Sequence, residues 1–251
     1  MKCFDTHIHS EGRSIEDLTA MSNEGIKAAI TCAFYPIKPM YQETLIDLFR
    51  KLIDFESYRG KKAGMEIYAA VGIHPRCIPP SYNKVLDVME SIDSVAFGEI
   101  GLEEVTKEEV EVFEGQLKLA KKIDKPCIIH TPRKNKLDVT MKIFEILEKI
   151  GFPESLAIVD HVSVETVEIV VKRGYIAGLT VQPGKLKSDE VVLIVENYGF
   201  ENFVLNSDTG FSESDMFAVV KTADILAKKF NKKDVEKIAW SNGMKFFGIN
   251  L

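Results

Sequence analysis

The sequence predicts a (β/α)8 TIM barrel folded as a single domain over residues 1–251. Three observations predict it: eight short apolar runs punctuate the chain, amphipathic stretches separate them, and no Ser/Gly linker or shift of composition divides the 251 residues. Parallel strands covered on both faces read as continuous apolar runs and need helical crossovers, and closing eight of them into a ring leaves no open edge. A doubly wound open sheet uses the same units and is the runner-up arrangement.

The first two runs are residues 2–5 and 28–34; residues 66–71, 94–98 and 126–129 follow, and all carry the Val, Ile, Phe or Tyr that suit a pleated surface. Between the fourth and fifth, Thr106 with Glu109 three positions on has the form of a capping box that opens a helix. After the fifth, Leu137, Met141, Phe144 and Leu147 recur at helical spacing. Residues 156–160, 175–180 and 203–206 complete the strands. Met216, Val219, Val220, Ala223, Leu226 and Ala227 then mark the apolar face of a last long helix.

With 45% hydrophobic and 28% charged residues the chain is not disordered, collagenous or membrane-spanning. Its opening Met-Lys-Cys-Phe-Asp-Thr-His lacks the apolar stretch of a signal peptide, so the expected setting is cytoplasmic, with no membrane and no obligatory protein partner. Cys3, Cys32, Cys77 and Cys127 lie in no metal or redox spacing and read as reduced, mostly buried thiols. The formal charge of −6 argues against non-specific coating of nucleic acid, although a local basic patch can still hold a phosphate.

All five histidines, His7, His9, His74, His130 and His161, fall at or just past the end of a predicted strand. Strand ends of one sense open on one face of a barrel, so residues distant in sequence converge there. A lone histidine in such a place is more often a hydrogen-bonded structural group; five at one face make a site. In Asp5-Thr6-His7-Ile8-His9, strand alternation turns His7 and His9 to one side and Ile8 to the wall, and Asp5 shares their parity and is expected to orient an imidazole by accepting its second N–H. Glu99, His130, His161 and Asp208 follow apolar runs in the same manner. Six imidazole and carboxylate donors suit two divalent ions (zinc, magnesium or manganese) better than one closed four-coordinate site, and Glu99, with two oxygens and glycines flanking its segment, is the expected bridge.

Asp5-Thr6-His7-Ile8-His9, Gly72-Ile73-His74-Pro75, Gly98-Glu99-Ile100-Gly101-Leu102 and Gln116-Leu117-Lys118-Leu119-Ala120 leading to Pro126 and His130 together resemble the TatD-related metal-dependent hydrolases of the amidohydrolase superfamily. The resemblance runs through nearly the whole chain in order. It implies a distorted TIM barrel, a two-metal site and, from several members, deoxyribonuclease activity. By motif match it implies His7 and His9 on one ion, His130 and His161 on the other, Glu99 between them and Asp208 completing the first. The chain departs from the family at Glu103 (usually Asp), Arg76 (usually His), Thr131-Pro132-Arg133 (an Arg soon after a Ser) and Asn206-Ser207-Asp208 (Glu-Thr-Asp).

Arg76, Arg133, Lys134, Lys136, Lys185 and Lys187 follow strands and are expected to form a cationic rim, with His74, Arg76, Arg133 and Lys134 as substrate contacts. Glu103, Glu104, Glu213 and Asp215 share those loops and would repel a long polyanion. The expected substrate is therefore a small phosphate ester, a short oligonucleotide or a single-stranded DNA end, cleaved by water that the two ions activate, with Asp208 and Glu99 as catalytic carboxylates and Asp208 also taking the proton. No Gly-x-Ser-x-Gly elbow, Walker A loop or Rossmann glycine pattern occurs, and Cys77 has no evident base. Two other readings stand beside this one: an amidohydrolase of a lactone, amide or ester using the same metals, and a non-catalytic, metal-stabilised binding protein. The rim favours the phosphodiester over the first, and a ligand set too large for a closed structural site disfavours the second.

Overall fold

A computed structural model describes residues 1–251. All eight runs form strands, β1 Cys3–Ile8, β2 Ile26–Cys32, β3 Glu66–Val71, β4 Ala96–Gly101, β5 Cys127–His130, β6 Ala157–Val159, β7 Ile176–Thr180 and β8 Phe203–Asn206, in one sheet ordered β1 to β8 with each strand parallel to the next. Side-chain and loop hydrogen bonds finish the ring. Thr6 Oγ1 donates to Leu205 O at 3.0 Å, Asp208 N to His7 O at 2.9 Å and His9 N to Thr209 O at 2.7 Å. The seam between β8 and β1 is thus tied chiefly at the end where the site lies.

Helices α1 Ile15–Glu24, α2 Glu43–Arg50 and α3 Ser57–Ala63 come first, the last two joined by a π-helical stretch, Lys51–Glu56. Next come α4 Asn83–Ser91, α5 Lys107–Lys122, α6 Lys136–Ile150, α7 Val167–Lys172, α8 Ser188–Tyr198 and α9 Ala218–Ala227. Two short helices, α10 Lys232–Glu236 and α11 Asn242–Phe246, close the chain. None is long and apolar enough to cross a membrane. Strand parity divides the buried apolar residues into two sets. Ala29, Ile67, Phe97 and Ile129 pack with helix residues such as Phe113, Phe144 and Leu226. Ala28, Ile30, Ala70, Ile128 and Val204 form the other set with Phe4, Met244 and Phe247. Alternate side chains of a closed sheet face opposite sides, so the second set fills the barrel interior.

Two expectations change. β1 runs through His7 to Ile8 and β4 through Glu99 to Gly101, past the predicted ends at residues 5 and 98; β5 pairs Ile100 with Ile129 and Gly101 with His130 and holds the second segment extended. Thr106 does cap α5, accepting from Glu109 N at 3.2 Å. Its partner does not reach back. The buried Glu109 carboxylate instead accepts the backbone N–H groups of Glu103, Glu104 and Val105, each at 2.9 Å. Three amides of the β4–α5 loop depend on that one oxygen, so Glu109→Ala is expected to lower stability by about 3 kcal/mol, read as a lower urea midpoint at unchanged m-value.

Candidate metal centre

A cavity of about 550 Å³ opens at the carboxyl ends of the strands. Glu99 lies buried at its floor, with one carboxylate oxygen turned to each of two imidazole pairs. Oε2 is 3.2 Å from His7 Nε2 and 3.5 Å from His9 Nε2. Oε1 is 2.8 Å from His161 Nε2 and 2.9 Å from His130 Nδ1. Asp208 Oδ1 stands 3.2 Å from His9 Nε2 and 3.7 Å from His7 Nε2. The fold therefore gathers all six residues singled out as metal ligands. His161 and Asp208 both hold positive φ, 57° and 47°, a conformation most side chains avoid and one that here aims each inward just past its strand.

The far side of each ring sets its tautomer. His9 Nδ1 lies 3.0 Å from Cys32 O, which can only accept, and His7 Nδ1 lies 2.6 Å from the Asp160 carboxylate. Both rings then carry the proton on Nδ1 and present a lone pair at Nε2. His130 is reversed: Nε2 meets Glu103 Oε2 at 2.8 Å and leaves Nδ1 facing Glu99. His161 Nδ1 contacts Thr180 Oγ1 at 2.8 Å and Lys185 Nζ at 3.0 Å.

Imidazole lone pairs and carboxylate oxygens at such distances repel unless a cation or proton lies between them, and the buried His7 Nε2 has no hydrogen-bond partner. Imidazole and carboxylate are the donors that borderline and hard divalent ions take, so the residues fit metal. The electrostatics agree. Burial opposes charge on His9, but Asp208 and Glu99 outweigh it and lift its pKa to about 9. Burial would also raise Glu99, yet the His7 charge and the bonds from His130 and His161 hold it well below the carboxylate range. His74 goes the other way: burial, reinforced by His130, keeps it well below the usual histidine range.

The supports were not all legible. Asp5 does not orient an imidazole; it accepts from Ser207 Oγ at 2.6 Å, Ser207 N at 3.0 Å and the backbone N–H of His7 at 3.3 Å. The β1–β2 register shifts between Asp5 and Ile8, so simple alternation does not carry Asp5 onto the side of the His7 ring. The orienting carboxylate is Asp160, next to His161 in the sequence. Its other oxygen accepts from Asn206 Nδ2 at 2.8 Å, and a Cβ on Gly178 would come within 1.9 Å of it, so glycine is required on the facing strand.

Around the mouth lie Arg76, Arg133, Lys134, Glu103 and Glu104, together with His74. Lys136 and Lys187 do not line the cavity; Lys136 turns back to donate to His161 O at 2.6 Å and Thr131 Oγ1 at 3.0 Å. Lys185 does line the cavity, as expected of the rim, with its side chain largely buried and paired with Asp208 Oδ2. Glu213 and Asp215 also lie outside the lining, and Asp215 pairs with Lys221. Phe34 and Phe211 do line it, and no periodicity marked them. Burial pushes the Cys77 thiol up to about 12, which removes it as a nucleophile at neutral pH. Because the Asp160 carboxylate fixes the His7 tautomer, Asp160→Asn is expected to weaken metal affinity roughly 10- to 100-fold in competition with a chelating dye, with far-UV circular dichroism unchanged.

Residues 4–248 match the model of the family described as TatD related DNase. A protein of Methanocaldococcus jannaschii, named an uncharacterized metal-dependent hydrolase, is 39% identical over 98% of this chain and 99% of its own length. The crystal structure of a TatD-like protein from Archaeoglobus fulgidus superposes with a TM-score of 0.88 at 47% identity, covering 98% of this chain and 100% of that one. A phosphotriesterase homology protein from Escherichia coli, solved with phosphate in its active site, shares the fold at a TM-score of 0.72 and 13% identity, with 98% of both chains covered. With its barrel, its histidine and carboxylate cluster and these relatives, the chain belongs to the TatD family of metal-dependent hydrolases.

Proposed function

We propose that the chain hydrolyses phosphodiester bonds in short oligonucleotides, single-stranded DNA ends or small phosphate esters, with two divalent ions as cofactors. One observation carries this reading: Glu99 divides its two oxygens between the His7–His9 and His130–His161 pairs, directly beneath a rim that includes Arg76, Arg133 and Lys134. His7, His9, Asp208 and Glu99 would hold one ion; His130, His161 and Glu99 would hold the other. When bound, such ions supply Lewis acidity that lowers the pKa of water and offsets charge on phosphoryl oxygens.

The chain's own residues do the rest. His74 Nδ1 accepts from Arg76 N at 3.0 Å, so the neutral ring carries its proton on Nε2 and offers a donor to a phosphate oxygen. Arg133 donates to Gln182 Oε1 at 2.8 Å and Gln182 Nε2 to Asp208 O at 2.8 Å, a chain that fixes the guanidinium relative to Asp208 and leaves the remaining N–H groups for an anion. Asp208 is the group placed to receive a proton from the attacking water. Lys185 holds its Oδ2 and leaves Oδ1 free to face the cavity. Burial alone would raise the Asp208 pKa, but Lys185 and His9 hold it well below the usual range, so the carboxylate is ionised whenever water must be deprotonated. Glu103 and Glu104 at the mouth disfavour a long polyanion passing over the site.

Metal-reconstituted protein is expected to turn over a generic phosphodiester and single-stranded DNA, and Glu99→Ala to lose at least about 100-fold of that rate, as removal of a catalytic carboxylate typically does. RNA and a lactone panel are assayed alongside. Turnover of lactones with no phosphodiester cleaved refutes the proposal. Asp208→Asn separates proton transfer from ligation: at saturating metal, with occupancy checked by elemental analysis, a persistent loss of about 10²–10⁴-fold marks a base, and full recovery marks a ligand only.

A further inference from the structure

Most of the cavity wall is charged or polar, but on the side of His9 it is aromatic. Phe34, just beyond β2, and Phe211, three residues past Asp208, approach with ring centroids 5.9 Å apart. The His9 ring sits 5.4 Å from Phe34 and 5.8 Å from Phe211. Arg76 places its guanidinium 5.7 Å from the Phe34 centroid. Phe211 is 44% exposed at the mouth.

The backbone of this loop is closely packed. A Cβ on Gly210 would stand 2.4 Å from His9 Cβ, and one on Gly12 would stand 2.5 Å from Gly210 C, so the backbone on either side is in van der Waals contact. Arg13 ties the same loop down by donating to the hydroxyls of Thr209 and Ser214. On that packed backbone the Phe211 ring stands partly exposed beside His9, whose own ring faces Glu99. Nothing in phosphate binding needs it there.

We propose that Phe211, backed by Phe34, is a stacking platform for an unpaired nucleobase adjoining the scissile phosphate. The inference rests on the phosphodiester reading above and narrows it to nucleic-acid ends and single strands. An exposed π-face beside an anion-binding centre is what a nucleotide presents to be matched: a flat base on one side and a phosphate on the other. Arg76, between the Phe34 ring and the cavity, can serve both halves. Bases inside a duplex have both faces occupied, so only a strand end or an unpaired base can offer one to Phe211. Aromatic stacking accepts any base, so the platform selects for an unpaired nucleotide without reading sequence.

The experiment uses a short single-stranded DNA and the same strand with an abasic residue at one terminus or the other, cleaved by metal-loaded wild type, Phe211→Ala and Phe211→Trp. Removing the base at the end that is cleaved should lower the wild-type kcat/KM roughly 5- to 150-fold, the range of one base–aromatic stack. Phe211→Ala should impose a similar loss on the intact strand, the two deletions together should cost little more than either alone, and Phe211→Trp should retain the intact-strand rate. A 2-aminopurine at that terminus should lose fluorescence on binding, before cleavage, in wild type and not in Phe211→Ala. Equal kcat/KM for intact and abasic strands, or fully additive losses, overturns the stacking platform while leaving phosphodiester hydrolysis in place. Failure to cleave DNA or a generic phosphodiester overturns the reading beneath it.

Discussion

A carboxylate taken out of water governs the open end of this barrel. Glu99 is only 2% exposed, and Asp5, Asp160 and most of Asp208 are buried near it. An isolated buried carboxylate would cost several kcal/mol and would rather take up a proton. Here each oxygen of Glu99 meets two ring nitrogens. The cluster is balanced only when positive charge lies among these groups, as bound metal or as protons on the rings. Catalysis and folding of this end are thus linked: the same cation that would activate water also relieves the desolvation of the carboxylates, and metal binding should stabilise the native state by mass action.

The next layer makes that cluster specific. Asp160 accepts from Asn206 Nδ2 with one oxygen and faces His7 Nδ1 with the other, so β6, β8 and β1 are joined through a single side chain. Asp5 does the same between β1 and the start of the β8 loop, through Ser207. These bonds cross the seam where the sheet's own pairing is thinnest and hold the register of the site there. Lys185 adds a different constraint. Its ammonium group occupies one oxygen of Asp208 and leaves the other to the cavity.

Much of this was legible in the sequence because a barrel converts position along the chain into position in space. An apolar run followed by His or Asp puts a polar side chain at the mouth, so the six clustered residues could be read as a group before any geometry was known. The failures have physical causes as definite as the successes. Alternation misassigned Asp5 because the register of β1 slips beside it. The apolar run of β4 ends at residue 98, but pairing with β5 carries the strand on to Gly101. Glu109 had the spacing of a capping-box partner and found three stronger donors in the preceding loop. Lys185 was expected at the rim and lines the cavity, but its pairing with Asp208 left no mark in the sequence. Phe34 and Phe211 each follow a strand, as the histidines do, yet an aromatic residue in that place is indistinguishable from core until its exposure is known.

The division between strands and loops also explains why chemistry and substrate choice can change independently here. Glu99 and His130 sit on strands paired on both sides, and His7 on a strand paired with β2 and tied across the seam to the loop after β8, so moving any of them would disturb the barrel itself. Arg76, Glu103, Arg133 and Phe211 stand on connections, where a substitution alters the wall of the cavity and little else. The positions at which this chain departs from its family's usual pattern, Arg76, Glu103 and Thr131–Arg133 among them, fall mainly in that second group, although Glu103 also touches His130 and so reaches the cluster. A cationic side, an acidic edge and an aromatic shelf arranged around Glu99 form an asymmetric cavity, and an asymmetric cavity admits a polar molecule in one orientation.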